Sequence, residues 1–363
     1  MSSSYSQSFG NVAADRQRTT GASTSIEEFH SVLKSSRRIL ALCGAGLSAA
    51  SGLGTFRGAG GMWHNYQATA LATPEAFEHD PGLVWLFYAY RRSKALQAKP
   101  NAGHFALAKC AEVMNGNADK GEFLCLTQNV DGLHQRANHP DSQLKLLHSS
   151  IFDLKCHSCD YIDKNNFSDP VHPSLVIEGD GPPPQLSKKA SNTVSAQAAY
   201  LDPNTELTIP LDQLPHCPNC KDGLLRPGVV WFGEALPYNT ISETYDWIDA
   251  EKKIDLCLVI GTTATVYPAA GYVDTAREKG ARIVVINMDV NELGAAGSLR
   301  KGDFLFEGDS ARILPEILRP VVGDLGSLGL EAEAGVKSKK VEDTKNVAGE
   351  EEDEVIKYFE ASP

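Results

Sequence analysis

The sequence predicts an α/β protein: a doubly wound, parallel-sheet, Rossmann-like domain carrying a smaller zinc-binding module. Three observations lead there. Short apolar runs alternate with helical stretches, the pattern of a parallel sheet covered on both faces. Polar and glycine-rich clusters fall at the C-terminal ends of those runs, where such sheets bind ligands. Two Cys-x-x-Cys pairs, Cys156/Cys159 and Cys217/Cys220, sit together in the one region where the alternation stops. Four thiolates at that spacing suit a tetrahedral, structural Zn2+, with no acidic or histidine ligand leaving an open position.

Residues 1–24 are rich in Ser, Thr, Gln and Gly and are expected to be disordered. Ser25-Ile-Glu-Glu28 reads as a capping box opening a helix striped by Phe29, Val32 and Leu33. Arg38 to Leu42 is a buried parallel strand. It runs into a glycine-rich stretch from Cys43 to Trp63. Gly44, Ala45, Gly46, Ser48, Thr55, Phe56, Arg57 and Trp63 are candidate contacts there for a dinucleotide. Glycines admit close backbone approach, amides at a helix start attract phosphate, and Arg57 can pair with a pyrophosphate. Gly44-Ala45-Gly46 is followed by Leu-Ser-Ala-Ala, so the spacing of a dehydrogenase fingerprint is absent.

Thr73-Pro74 starts a helix, with Thr at the cap and Pro in the first turn. A second helix covers Leu83 to about Leu96, and a third residues 103–114. Phe123 to Leu126 is a strand ending at Gln128-Asn129-Val130-Asp131, and Leu144 to Leu147 one ending at His148. Residues 151–226 form the cysteine module, interrupted by a Pro/Ser-rich insertion from Gly179 to about Pro210. Asp255 to Ile260 is a strand leading to Gly261-Thr262-Thr263, followed by a helix over Ala269–Lys279. Arg282 to Ile286 is a strand ending at Asn287-Met288-Asp289, and Phe304 to Phe306 one ending near Ser310. The Rossmann-like domain therefore spans 25–150 and 227–322. Residues 323–363, with the acidic run Glu350–Glu354, read as a solvated tail.

The 363 residues carry a net charge of −12 and are 42% hydrophobic, ordinary for a soluble globular protein. That balance argues against nonspecific nucleic-acid binding and favours cationic partners. No apolar run is long enough to span a bilayer. Cys43, Cys110, Cys125 and Cys257 lie among apolar residues and read as small core side chains, and His104 and His134 as core or surface histidines. The cysteine pattern is that of a reduced, intracellular protein.

The stretch GAGLSAASGLGTFRGAGGMW resembles the sirtuin family, which consumes NAD as a co-substrate. Further motifs follow in the family's order: Gln128-Asn129-Val130-Asp131, His148, Val229-Val230-Trp231-Phe232-Gly233-Glu234 and Gly261-Thr262-Thr263, together covering about residues 30–320. The resemblance implies NAD-dependent removal of acyl groups from lysines of proteins or peptides. His148 would be the general base and Asn129 and Asp131 would order the ribose and nicotinamide site. Gln128, Gly261, Thr262, Thr263, Asn287, Met288, Asp289 and Ser310 would complete the NAD site. Val229 to Glu234 would be a strand pairing with an extended substrate. Tyr88 and Arg91, one turn apart on a helix, resemble the subgroup that removes succinyl, malonyl and glutaryl groups, where such a pair holds the acyl carboxylate. Ala72 corresponds there to a small residue widening the acyl pocket. Mono-ADP-ribosyl transfer and a non-catalytic zinc-ribbon chromatin adaptor are the alternatives, and mitochondrion, cytosol and nucleus all stay open.

Overall fold

The structure is a computed structural model, and it describes residues 21–55, 62–63, 66–115, 121–176, 208–251, 253–291 and 293–325. Phe56, Arg57, most of the expected disordered N-terminus, nearly all of the 179–210 insertion and almost the whole acidic tail lie outside these residues.

In chain order the elements are α1 (Ile26–Ser35), β1 (Arg38–Cys43), α2 (Gly46–Ala49), β2 (Met62–Trp63), β3 (Tyr66–Gln67), α3 (Ala68–Leu71), α4 (Pro74–His79), α5 (Pro81–Gln97) and α6 (Ala102–Asn115). Then follow β4 (Glu122–Thr127), α7 (Leu133–Arg136), β5 (Leu144–Leu146), β6 (Leu154–Cys156), β7 (Ile162–Asp163) and β8 (Leu225–Pro227). The chain closes with α8 (Tyr238–Ala250), β9 (Leu256–Ile260), α9 (Gly271–Glu278), β10 (Arg282–Asn287), β11 (Phe304–Glu307), α10 (Ser310–Ile317) and α11 (Arg319–Val322).

Six strands form one parallel sheet in the order β11-β10-β9-β1-β4-β5. From β1 the chain builds outward through β4 and β5, then returns to β1's other side with β9. That reversal opens a crevice at the C-terminal ends of β1 and β9. The strands are continuous apolar runs because both faces are covered. Ile39, Ala41 and Cys43 pack with Phe29, Leu107 and Leu314 on one side, while Leu40 and Leu42 pack with Val273 and Leu299 on the other.

The helix starts follow their caps. Ser25 Oγ accepts the Glu28 N–H at 3.2 Å, and Thr73 Oγ1 accepts the Ala76 N–H at 3.1 Å. Asp80 accepts the Leu83 N–H at 3.0 Å and puts Pro81 in the first turn, so α5 begins two residues earlier than its apolar run suggests.

A three-stranded antiparallel sheet, β7-β6-β8, carries the cysteine pairs. Its core is shared with α3–α5: Trp85, Phe87 and Phe77 lie in one cluster with Leu154, Leu225 and Trp231.

Two expectations are corrected. Residues 21–24 are not loose. Ser23 bridges Phe304 beside β11, donating its N–H to Asp303 O at 2.9 Å and accepting from Leu305 N at 3.0 Å. An exposed edge strand leaves backbone groups to satisfy, and this segment satisfies two of them. Val229 to Glu234 is not a strand. After β8 the chain bends, Gly233 takes φ +88°, and the N–H groups of Val230 and Phe232 donate to His148 O and Ala72 O at 3.0 and 2.9 Å. Those donors are spent within the chain, tying the segment across the cavity floor.

Candidate active site and metal centre

The crevice is a cavity of about 1040 Å³ lined by the ends of β1, β4, β9 and β10 together with α5 and the 229–234 segment. Gly44 and Gly46 close its sheet side, but contact with a ligand is not the only demand on them. A Cβ on Gly44 would meet Thr262 Cβ at 2.6 Å, and one on Gly46 would meet Gly261 Cα at 2.7 Å. Gly261 itself has φ +56° and would place a Cβ 2.4 Å from Leu47 N. The β1 and β9 loops thus cross backbone on backbone. Hydrogen bonds from Gly46 N to Gly261 O, 2.8 Å, and from Gln128 Nε2 to Thr262 Oγ1, 3.1 Å, hold the crossing.

Under this crossing lies a buried polar group. Asn129 Nδ2 donates to Gly44 O at 2.9 Å and to Ser48 Oγ at 3.2 Å, and Ser48 Oγ donates to Asp131 at 2.7 Å. Asp131 also accepts the Leu133 N–H at 2.9 Å. Burial pushes the Asp131 carboxyl up, opposed by the Leu133 and Ser48 hydrogen bonds and by Arg136 and Arg91. Arg136, which sequence reasoning missed, donates to the carbonyls of Ala95, Ala98 and Asp131 at 2.6, 2.8 and 3.2 Å, locking this loop to the end of α5.

His148 follows β5 and lines the cavity. Its Nδ1 pairs with Gln128 O at 3.0 Å, so Nδ1 carries the proton and Nε2 is left as the basic nitrogen. Burial lowers its pKa below the ordinary histidine value, partly offset by that carbonyl.

Tyr88 and Arg91 line the same cavity from α5, with Ala72 at the end of α3. Burial raises the Tyr88 hydroxyl to about 12, keeping it a neutral donor. Burial lowers Arg91, with Tyr88 and Asp131 pulling the other way. The wall behind them is aromatic. Trp231 lies 6.3 Å from Tyr88 and 5.4 Å from Phe77 between ring centroids. Arg226 supports it from beneath, its guanidinium 3.5 Å from the Trp231 ring centroid and forked onto Glu234 through two hydrogen bonds of 2.8 Å. Glu234 also accepts the Trp231 N–H at 2.9 Å. An arginine inside the otherwise apolar Leu225–Pro227 run was the available signal for this support.

Of the other expected nucleotide contacts, Ala45, Thr55, Trp63, Thr263, Asn287, Met288 and Asp289 line the cavity with the residues above. Ser310 does not. It is buried at the start of α10. Val266, Tyr267 and Pro268 also line it and were not singled out from sequence. They continue the loop after β9, where a glycine-threonine cluster was the only cue.

Cys156, Cys159, Cys217 and Cys220 converge with their sulfurs all within 4.8 Å of one another. The Cys156–Cys220 and Cys159–Cys217 separations are 3.6 and 3.7 Å, and no disulfide links them. Thiolates at about 2.3 Å from a tetrahedral zinc stand about 3.8 Å apart. The N–H groups of Ser158 and Asn219 point at Cys156 and Cys217 sulfurs at 3.3 and 3.4 Å, offsetting thiolate charge. Gly223 is required beside them, since a Cβ there would lie 2.8 Å from the Cys156 sulfur. The donor set fits a closed, structural zinc site.

A parallel sheet with a ligand crevice at its switch point, a backbone-crossed glycine loop and a four-sulfur module define a Rossmann-like protein of the NAD-using kind. The particular family follows from comparison: residues 44–268 match the model described as the Sir2 family, and the chain belongs to it. An NAD-dependent protein deacylase of Candida albicans is 45% identical over 316 residues, 83% of this chain and 99% of that one. The mitochondrial NAD-dependent protein deacylase sirtuin-5 of Canis lupus familiaris is 37% identical, covering 82% of this chain and 86% of its own. Among solved structures, a Sir2 homologue in complex with NAD superposes with a TM-score of 0.60 at 30% identity, covering 83% of this chain and 95% of its own.

Proposed function

We propose that this chain is an NAD-dependent protein-lysine deacylase that prefers acyl groups ending in a carboxylate: succinyl, malonyl or glutaryl. The general activity is supported by the deacylase relatives and by the NAD-bound neighbour. The acyl preference rests on one observation. Tyr88 and Arg91 line the same cavity as His148 and Asn129, giving a hydroxyl donor and a guanidinium within one apolar-walled chamber. A fork of N–H donors suits a carboxylate, and an apolar wall suits the methylenes before it.

Each residue then has a task. Asn129, Ser48 and Asp131 hold the ribose and nicotinamide end of NAD, with Gly44 to Ser48, Gly261 to Thr263 and Asn287 to Asp289 along the rest of it. The acyl amide oxygen attacks the anomeric carbon as the nicotinamide bond breaks, and the fixed geometry aligns the two reactants. His148 Nε2 takes the proton of a ribose hydroxyl, freeing that oxygen to attack the acyl carbon. The lysine amine leaves the acyl carbon, one water adds to that carbon in its place, and lysine, nicotinamide and O-acyl-ADP-ribose result. The 229–234 segment and Ala72 line the path of the acyl-lysine. Residues 151–226, with one zinc on the four cysteines, serve as a scaffold for the cavity's aromatic wall. The net charge of −12 favours cationic peptide partners over nucleic acid. Among the described residues, no helix is long and apolar enough to cross a membrane.

The test is mass analysis of succinyl-, malonyl-, glutaryl- and acetyl-lysine peptides incubated with the protein, with and without NAD. NAD-dependent loss of the acidic acyl groups, faster than loss of acetyl, is the expected result. Faster deacetylation would overturn the acyl preference, and ADP-ribosylated protein without free lysine would overturn deacylation.

A further inference from the structure

Behind the nucleotide loop lies a second cluster of metal-binding side chains that the proposed chemistry does not use. Cys43 ends β1, Cys125 lies on the neighbouring β4 and His134 lies on α7; all three are buried, at 0%, 0% and 1% exposure. One donor atom from each lies within 4.8 Å of the others. The Cys43 and Cys125 sulfurs are 3.7 Å apart, the same separation as Cys159 and Cys217 in the four-cysteine centre. Both match the edge of a tetrahedral zinc thiolate, about 3.8 Å.

The imidazole supplies an independent observation. Neither ring nitrogen of His134 has a hydrogen-bond partner although both are buried. A buried polar atom left unsatisfied costs about 1–3 kcal/mol, and an ion is one of the few agents that explains it. His139 packs against His134 at 5.8 Å between ring centroids, and its buried Nε2 also lacks a hydrogen-bond partner. It lies outside the converging three, and a turn of its ring toward the ion would supply the fourth donor.

We propose that Cys43, Cys125 and His134, completed by His139, form a second, internal Zn2+ site. Binding releases one proton from each thiol, and two thiolates with Zn2+ make a neutral unit. Neutrality matters in this apolar setting, where a net charge would be expensive. The site ties the ends of β1 and β4 to α7. Those are the elements that carry Gly44 and the Gln128–Asp131 loop, so the ion would brace the nucleotide crevice from behind.

The test is zinc content together with zinc K-edge absorption on the full chain, loaded with Zn2+ and exchanged into metal-free buffer. Two zinc ions per chain are expected, with an average shell of about three sulfurs and one nitrogen. Cys125→Ser and His134→Phe should each return the content to one and the shell to all sulfur. Should either variant fail to fold, the wild-type spectrum decides alone. One zinc per chain with an all-sulfur shell overturns the proposal. So does a second zinc bound through oxygen, or one retained in a folded variant.

Discussion

His148 is held by Gln128: its Nδ1 donates to the Gln128 carbonyl oxygen at 3.0 Å, and Gln128 in turn donates from Nε2 to Thr262 at 3.1 Å. One residue thus sets the tautomer of the proposed base and ties the loop after β4 to the loop after β9.

The pH profile follows from that pairing. The working form of His148 is neutral, and burial lowers its pKa. Activity should rise as pH climbs through the lowered value and hold above it, placing the acidic limb of kcat/KM below the ordinary histidine value of about 6.5. His148→Tyr should abolish turnover yet leave NAD binding measurable by calorimetry. An acidic limb above neutrality, or turnover surviving the substitution, would contradict the assignment.

Arg91→Met should separate the substrates. Losing a charge-assisted contact of about 1.5–3 kcal/mol lowers kcat/KM for succinyl-lysine by roughly 10- to 100-fold. Acetyl-lysine has no carboxylate to lose, so its rate should change by less than about 3-fold. Parallel kinetics on the two peptides check this, and equal losses would remove Arg91 from acyl recognition.

The Arg226–Glu234 pair makes a stability prediction. Arg226 has 4% side-chain exposure and Glu234 22%, so the pair is largely but not fully removed from water. Arg226→Ala should destabilise the chain by about 2–4 kcal/mol in denaturant unfolding, somewhat below the cost of breaking a fully buried pair. Burial raises Glu234, but Arg226, the Trp231 N–H and Lys155 outweigh it and leave its pKa below 4.5. Its contribution is therefore complete above that value and is lost as pH falls through the depressed folded pKa. The variant should show a shallower acid transition than the parent.

Gly223→Ala tests the four-cysteine centre without touching a ligand. The added methyl would meet the Cys156 and Cys220 sulfurs at 2.8 and 3.0 Å. Zinc retention against a competing chelator should fall at least 10-fold, and the midpoint of thermal unfolding should fall with it. Parental retention would show that the knuckle can widen at no cost.

Much of this was readable from residue order. The buried strands are continuous runs of apolar side chains, and the helix starts are marked by Ser25, Thr73 and Asp80 with their downstream N–H partners. The cavity gathers His148, Asn129 and the β9 loop because motifs at strand ends must meet at the switch point. What escaped depended on distance in three dimensions. Nothing local shows that Gly44 and Gly46 are small partly to clear Gly261 and Thr262, more than 200 residues away. Nor could periodicity show that Val230 and Phe232 donate to His148 and Ala72 instead of forming a ladder. Arg226 was overlooked because its partners, Trp231 and Glu234, become neighbours only where the chain bends after β8.

The bridge between Ser23 and Phe304 bears on how the molecule is handled. β11 is the outermost strand of the sheet, and the two backbone groups that Ser23 occupies would otherwise be offered to any passing extended chain. A shortened form trimmed back to the first helix would lose that cover. It would keep its crevice intact while gaining an adhesive margin, so self-association would set in before any fault in catalysis.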